Sequence, residues 1–306
     1  MTPGAGSGGL VAVHAHPDDE TLWTGALLAT WSRSGRPVTV VTCTRGEQGE
    51  VLGPDQHLAG DPAGLARHRL GELAGALAAL GVADHAFLDE LGGGDRWVDS
   101  GMVWGPDGRA MIGPDVPAGA FARADVGLAA TGLAALLRAR RPDAVVGYEP
   151  GGGYGHPDHV QAHRVMMRAV RLAADDVDGV PGWEVPCVLW AAQDGDALVQ
   201  GRQSCAARVP AGLVSSVGSP LPSAAVPPDE VDVLVDVAPV LDPLLEALRA
   251  HVTQVQAAKA VVLPGVVAQY ALSGGLLEPV LATESYRLAP GSDASAVRWP
   301  QGVRVP

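Results

Sequence analysis

Two stretches of this chain carry the side chains of metal and acid–base chemistry: His14-Ala15-His16-Pro17-Asp18-Asp19-Glu20 and Gly155-His156-Pro157-Asp158-His159. Each lies just beyond an apolar run of strand character, Leu10 to Val13 for the first and Ala144 to Tyr148 for the second. In an open parallel sheet the carboxyl ends of the strands share one rim, so motifs remote in sequence can meet there. Catalytic zinc is commonly held by three His or carboxylate ligands with one position left open. His16, Asp19 and His159 can supply that set. Pro17 fixes one φ and biases His16 towards an extended conformation, which bends the chain sharply out of the strand. His16 and Asp19 can then face one point while Asp18 is aimed elsewhere. Asp18 is therefore the candidate general base towards water. His156 is the candidate to stabilise or protonate a developing oxyanion or leaving amine, with Asp158 as its orienting partner.

A single His-Pro-Asp-Asp has a plainer explanation, since Asp beside Pro is ordinary turn chemistry and Asp18 or Asp19 can cap the helix that follows. Two copies after two strands, one with an extra histidine, favour chemistry. His163 stands four residues after His159 on an expected helix, but no Glu follows His159 to complete a zincin motif. It is expected in a supporting or packing position. His14 is expected along the strand beside the site. His57, His68, His85 and His251 are read as structural or exposed, and Asp175-Asp176 as a solvated helix end.

These motifs need a scaffold, and 306 residues with 47% apolar content supply a large core. The formal charge of −13 argues against a nucleic-acid partner, whose phosphates call for a basic surface. No apolar run approaches the roughly 20 residues of a membrane helix. Met1 to Gly9 holds no basic residue, unlike a secretion signal, so a cytoplasmic setting is expected. Cys43, Cys187 and Cys205 are odd in number and widely spaced, which points to buried thiols in a reducing compartment. Lys259 is the only lysine among 21 basic residues and falls in an expected helix far from both motifs. Schiff-base chemistry and a Walker-type phosphate lysine are thereby disfavoured.

The first half alternates strand-like and helix-like segments, the pattern of a doubly wound, mostly parallel, Rossmann-like α/β sheet. Strands are expected at Leu10 to Val13, Val38 to Thr42, Ala86 to Leu88 and Ala144 to Tyr148. Helices are expected at Glu20 to Ser34, Ala63 to Leu80 and Asp125 to Arg140. Leu65, Leu70, Leu73 and Leu77 lie on broadly one side of the second helix, and Gly81 stops it. Gly46 to Pro62 and Leu91 to Ala118 read as long functional loops. The triplets Gly92-Gly93-Gly94 and Gly151-Gly152-Gly153 read as hinges or tight backbone passages. Gly4, Gly6, Gly8 and Gly9 precede the first strand instead of following it, which weakens a dinucleotide-binding reading. Later, Val209 to Glu230 reads as a surface loop, Val231 to Val237 as a half-buried strand, Val240 to Lys259 as a helix and Tyr286 to Leu288 as a late strand. Gly291 to Pro306 reads as a disordered tail. The division expected is an α/β core over residues 1–175, with a C-terminal subdomain over 176–306 that completes the fold and the substrate cleft.

Ala15-His16-Pro17-Asp18-Asp19-Glu20 together with Gly155-His156-Pro157-Asp158-His159 resembles the metal-dependent N-deacetylases of the PIG-L/LmbE family, which act on N-acetylglucosamine-containing substrates. Val41 to Thr44, Gly46 to Val51, Arg69 to Leu73, Arg96 to Met102 and Gly152 to His156 are similar to the branch of that family that deacetylates N-acetylglucosaminyl-inositol in mycothiol biosynthesis. The likeness is dense from Val11 to His163 and returns around His251 to Val255 and Glu284 to Leu288. It implies zinc on His16, Asp19 and His159, with ferrous iron also compatible with such ligands. It further implies Asp18 as base, His156 in an oxyanion or general-acid role, Asp158 orienting it, and Tyr154 supporting from a mobile loop. Glu50, Arg69 and Asp99 are implied contacts to sugar and inositol hydroxyls, although loop-stabilising ion pairs are the other reading of each. Trp23 can stack on a sugar or pack in the core, and the core is favoured. The substrate class implied is a small amino-sugar-inositol. Nothing in the sequence specifies an oligomeric state. A mycothiol S-conjugate amidase would share the catalytic residues, but Glu47 to Glu50 and Asp99 to Met102 favour the deacetylase. A non-catalytic, metal-dependent glycan-binding module would need no base, so Asp18 counts against it.

Overall fold

The computed structural model describes residues 9–92 and 96–306. Gly4, Gly6, Gly8, Gly93 and Gly94 lie outside them. The first half runs β1 (Leu10–His14), α1 (Asp19–Arg33), β2 (Val38–Thr42), α2 (Pro62–Leu80), β3 (Asp84–Phe87), α3 (Leu88–Gly92), a hairpin of β4 (Val103–Trp104) and β5 (Ala110–Met111), α4 (Val126–Arg140), β6 (Ala144–Tyr148), α5 (Gly152–Gly155) and α6 (Pro157–Ala173). The second half runs β7 (Cys187–Asp194), α7 (Gly195–Ala206), β8 (Val214–Ser215), β9 (Ala225–Val226), β10 (Val233–Asp236), α8 (Leu241–Ala250), β11 (Gln256–Leu263), β12 (Val266–Ala271), β13 (Leu276–Leu281), β14 (Thr283–Leu288) and β15 (Val303–Arg304).

Five parallel strands form the centre of the main sheet in the order β7-β6-β1-β2-β3. Antiparallel β14, β10 and β15 continue it beyond β7, so the sheet is mostly parallel with a mixed flank. From β1 the chain winds outwards through β2 and β3, then returns to the other side of β1 as β6. The order reverses between β1 and β6, and at that point a doubly wound sheet opens a crevice at its carboxyl rim.

β1, β2 and β6 are buried at every residue, as expected of apolar runs covered on both faces. Successive side chains point to opposite faces. Leu10 and Ala12 join one core with Leu27 and Leu28 of α1, Leu73 and Leu77 of α2, and Leu244 and Leu248 of α8. Val11 and Val13 join another with Leu133 and Leu137 of α4 and Val165 and Met166 of α6.

Several expectations need correction. Leu65, Leu73 and Leu77 are buried, but Leu70 is 41% exposed; it lines a shallow hollow between α2 and the edge strand β3. The helix expected over Val240 to Lys259 ends at Ala250, because His251 leaves helical geometry and buries its ring against Glu20. Lys259 lies in β11, opposite Gln269. The tail expected to be disordered is ordered: Trp299 sets its ring edge-on to Trp31 at 5.8 Å, and β15 pairs with β10. Residues from 176 onward supply β7, β10, β14 and β15 to the main sheet and build a second, four-stranded sheet, β11-β12-β13-β8. No described helix is long and apolar enough to cross a membrane.

Candidate active site

β1 and β6 lie side by side in parallel, Leu10 beside Ala144 and Ala12 beside Val146, so the two His-Pro-Asp motifs leave the sheet at the same rim. Beyond β1 the chain reverses at Asp18, which adopts φ 108. A non-glycine residue there is strained and persists only when its surroundings hold it. Here Glu20 Oε2 accepts the Asp18 N–H at 2.9 Å, and the Asp18 carbonyl accepts from the N–H groups of Thr21 and Leu22. Beyond β6, Pro157 opens α6 and His156 caps it, its Nδ1 accepting the Asp158 N–H at 3.2 Å. The preceding glycines are a close passage: a Cβ on Gly152 would press on His159 and Val160, and one on Gly153 on the Trp23 ring.

The imidazoles and carboxylates converge. Asp19 Oδ2 lies 3.2 Å from His16 Nδ1 and 3.3 Å from His159 Nε2. His16 Nε2 lies 3.2 Å from Asp158 Oδ2 and 3.5 Å from Asp99 Oδ1. His159 Nδ1 sits 3.1 Å from the Gly152 carbonyl and donates to it, which turns Nε2 towards Asp19. That Nε2 is buried and has no hydrogen-bond partner among the described residues. An orphaned buried imidazole nitrogen beside a carboxylate suits a divalent cation. Ligand atoms of His16, His156 and His159 lie within 4.8 Å of one another, as do those of His16, Asp99 and Asp158. His16 is common to both groups. His156 is capable of ligation by this measure, whereas Asp19 bridges His16 and His159 directly.

The electrostatics follow from burial and this crowding. Burial alone would lower His16, yet Asp99, Asp158 and Asp19 raise it well above the usual histidine range. A pocket that favours charge on an imidazole favours a cation. Asp19 is likewise buried, but His159 and His16 hold it well below the carboxylate range. Burial pushes the Asp18 carboxyl up to about 7, against the opposing pull of Arg69 and with the help of Asp19. Burial and the neighbouring His16 and His159 hold His156 well below its ordinary value, so its ring is neutral.

The other expected residues separate. Asp158 turns its carboxylate to His16 and away from His156, held by the backbone N–H of Ser100 at 2.8 Å and by a short bond from the Ser100 hydroxyl. Only its N–H reaches His156. Asp99 is buried in the cluster and accepts from the N–H groups of Gln48 and Gly101. Arg69 is buried, 3.2 Å from Asp18, and also donates to the carbonyls of Gly46 and Pro17, so it braces two loops. Tyr154 lies with its ring 5.1 Å from that of His159. Glu50 is exposed, and its carbonyl accepts from Gln254 at 2.9 Å. Glu47 is the buried acid of that loop, bonded to Arg96 and to the Asp99 N–H. His14 bonds Thr24 at 2.8 Å, with burial lowering it to about 4. His163 Nδ1 meets the Tyr148 carbonyl at 2.8 Å. Trp23 packs against Tyr148 and the core.

Sequence reasoning missed Glu20, His251 and Ser100. Glu20 and His251 are completely buried and 2.8 Å apart, and Glu20 accepts the Asp18 N–H. The returning likeness around His251 was the available signal for that pair. Ser100 lies within the likeness over Arg96 to Met102, but its role was not read, because a serine in a loop is unremarkable until a buried carboxylate lies against it.

A doubly wound sheet with a histidine–carboxylate cluster at its switch point defines an α/β protein with a metal-capable crevice. Residues 11–170 match the PIG-L family, described as GlcNAc-PI de-N-acetylase, and the chain belongs to that family. It is similar to the 1D-myo-inositol 2-acetamido-2-deoxy-alpha-D-glucopyranoside deacetylase of Kineococcus radiotolerans, with 44% identity over 92% of this chain and 77% of that one. Proteins of the same name from Nocardia farcinica and Geodermatophilus obscurus are 43% and 42% identical, covering 93% and 98% of this chain and 91% and 97% of theirs. Among solved structures, an N,N'-diacetylchitobiose deacetylase from Pyrococcus horikoshii shares the fold, with 18% identity, coverage of 79% of this chain and 69% of that one, and a TM-score of 0.51.

Proposed function

We propose that this chain hydrolyses the N-acetyl group of N-acetylglucosaminyl-inositol, giving glucosaminyl-inositol and acetate, as a step of mycothiol biosynthesis. The relatives named for that reaction support the substrate. The observation that carries the chemistry is the buried Nε2 of His159, without a hydrogen bond among the described residues and 3.3 Å from the Asp19 carboxylate that also reaches His16, with the strained Asp18 beside them. His16, Asp19 and His159 are the ligands in this reading. A divalent ion there, zinc or ferrous iron, would polarise the amide carbonyl and make water more acidic.

Asp18 accepts the proton of the attacking water, a task suited to a carboxyl raised to about 7. Water oxygen bonds to the acetyl carbon, the C–N bond breaks, acetate departs and the amine nitrogen takes up a proton. His156, neutral and with Nδ1 engaged by the Asp158 N–H, presents Nε2–H to the developing oxyanion or leaving nitrogen. Tyr154 supports it from α5. Asp158 orients His16, while Asp99, Arg69 and Glu50 are the proposed contacts to hydroxyls.

We assign catalysis to residues 1–175 and completion of the cleft to 176–306; the Gln254 bond to the loop at Glu50 and the His251 bond to Glu20 support that division. Three free, buried thiols accord with a cytoplasmic setting. The test is amine release from N-acetylglucosaminyl-inositol by protein reconstituted with zinc and, separately, with ferrous iron. Release with at least one metal is expected. Cleavage of a mycothiol S-conjugate amide with no action on the inositol glycoside would replace this reading by the amidase.

A further inference from the structure

The β4–β5 hairpin stands beside the mouth of the site and is not part of the chemistry described above. In it Val103 pairs with Met111 and Trp104 with Ala110. Side chains alternate across such a ribbon, so Trp104 and Ala110 share one face, Val103 and Met111 the other. The first face is turned inward: Ala110 is buried, and a Cβ on Gly155 would collide with the Ala110 carbonyl at 2.6 Å. The turn of the hairpin is braced on its far side, where a Cβ on Gly108 would meet Pro220 at 3.0 Å.

Trp104 therefore points to the side of the hairpin that faces α5, yet it is 62% exposed. Its ring lies 5.9 Å from that of Tyr154, inclined by 33°, and Tyr154 in turn lies 5.1 Å from His159. Two aromatic rings thus lead from the cluster outwards, the second largely open to solvent. A large aromatic exposed on the site-facing side of a braced element is a surface prepared for a ligand.

We infer that Trp104 is a specificity-determining residue that forms the platform for the outer ring of the substrate, the cyclitol beyond the glycosidic bond. The inference rests on the substrate reading given above. A polyol ring has a face of C–H groups that suits an indole and a rim of hydroxyls left for water and polar side chains. The acetylated sugar sits at the cluster, and the ring attached to it extends past Tyr154.

The test uses metal-loaded protein and two pairs of ligands: N-acetylglucosaminyl-inositol and N-acetylglucosamine as substrates, glucosaminyl-inositol and glucosamine as non-reacting products. Trp104→Ala should raise KM for the inositol glycoside and Kd for its product about tenfold, as loss of a buried aromatic anchor commonly does. kcat and both constants for the monosaccharides should change by less than about twofold. Trp104→Phe should recover most of the loss. Equal effects on both pairs, or none, overturn the inference. If the unmodified protein binds the inositol product without hydrolysing the glycoside, the reaction assigned above fails and Trp104 is judged on Kd alone. If it binds neither inositol compound, both fall.

Discussion

At the scale of single residues, the separation of Asp18 from Asp19 is decisive. Adjacent carboxylates have opposite environments: Asp19 is held down by His16 and His159, while burial lifts Asp18. Asp18→Asn keeps shape and removes the proton acceptor, so kcat should fall by about 10²- to 10⁴-fold with metal content unchanged. Near-normal turnover would reject it as base. His159→Ala should abolish stoichiometric metal by elemental analysis, whereas His163→Ala should not; the reverse would reassign the ligand. The convergence of His16, Asp19 and His159 was legible because each motif follows an apolar strand with a proline turn and the two strands run parallel to one rim. The orientation of Asp158 was not, since Ser100, 58 residues away, decides it. Glu50 lies exposed at the rim while the same loop turns Glu47 inward, a choice that the order of residues in the loop does not announce.

At the scale of elements, the segment after α8 joins the later chain to the site. Its His251 pairs with Glu20, and Thr253 bonds Glu72 of α2 through both its N–H and its hydroxyl. Removing one partner of a buried pair commonly costs about 3–5 kcal/mol, so His251→Gln should lower Tm markedly and reduce kcat by loosening Asp18. The pair also has a pH signature. Burial would lower His251, but Glu20 raises it above the ordinary 6.5, so its contribution is complete below 6.5 and is lost as pH rises through the raised folded value. Burial would raise Glu20, but His251 lowers it below the ordinary 4.5, so its contribution is complete above 4.5 and is lost as pH falls through the lowered one. Stability from the pair is greatest between these values, and a urea-denaturation series across pH should show that component in the parent and a flatter profile in His251→Gln. β1, β2 and β6 and the helices α1, α2 and α4 were legible to within a few residues, because continuous apolar runs bounded by turn residues mark buried strands and capping residues bound the helices, whereas β7, central in the sheet, was not read. The end of α8 was not, because a tertiary ion pair overrides local helix preference. The tail was misread because its Gly and Pro content resembles disorder, while its anchor is a contact between Trp299 and Trp31 that no local pattern announces.

At the scale of the whole molecule, the C-terminal flank belongs to one of the two cores, which holds Val233, Val235, Tyr286 and Val297 and against which Trp299 packs. Trp299→Ala, at a half-buried site, should cost about 2 kcal/mol in denaturant unfolding. The pairing of β1 with β6 has a consequence in time. His16 and Asp158 meet although they stand 142 positions apart in the chain, so the first ligands emerge from synthesis long before the last, and the early segment alone has no closed donor set to offer. Capture of an ion belongs after the non-local closure that limits folding speed. A ligand that recognises only the finished fold slows its loss without hastening its formation. Stopped-flow measurements should find the refolding rate unchanged by added metal and the unfolding rate reduced. Order of assembly would then be written into the strand order itself, with the ion acting as a latch closed last.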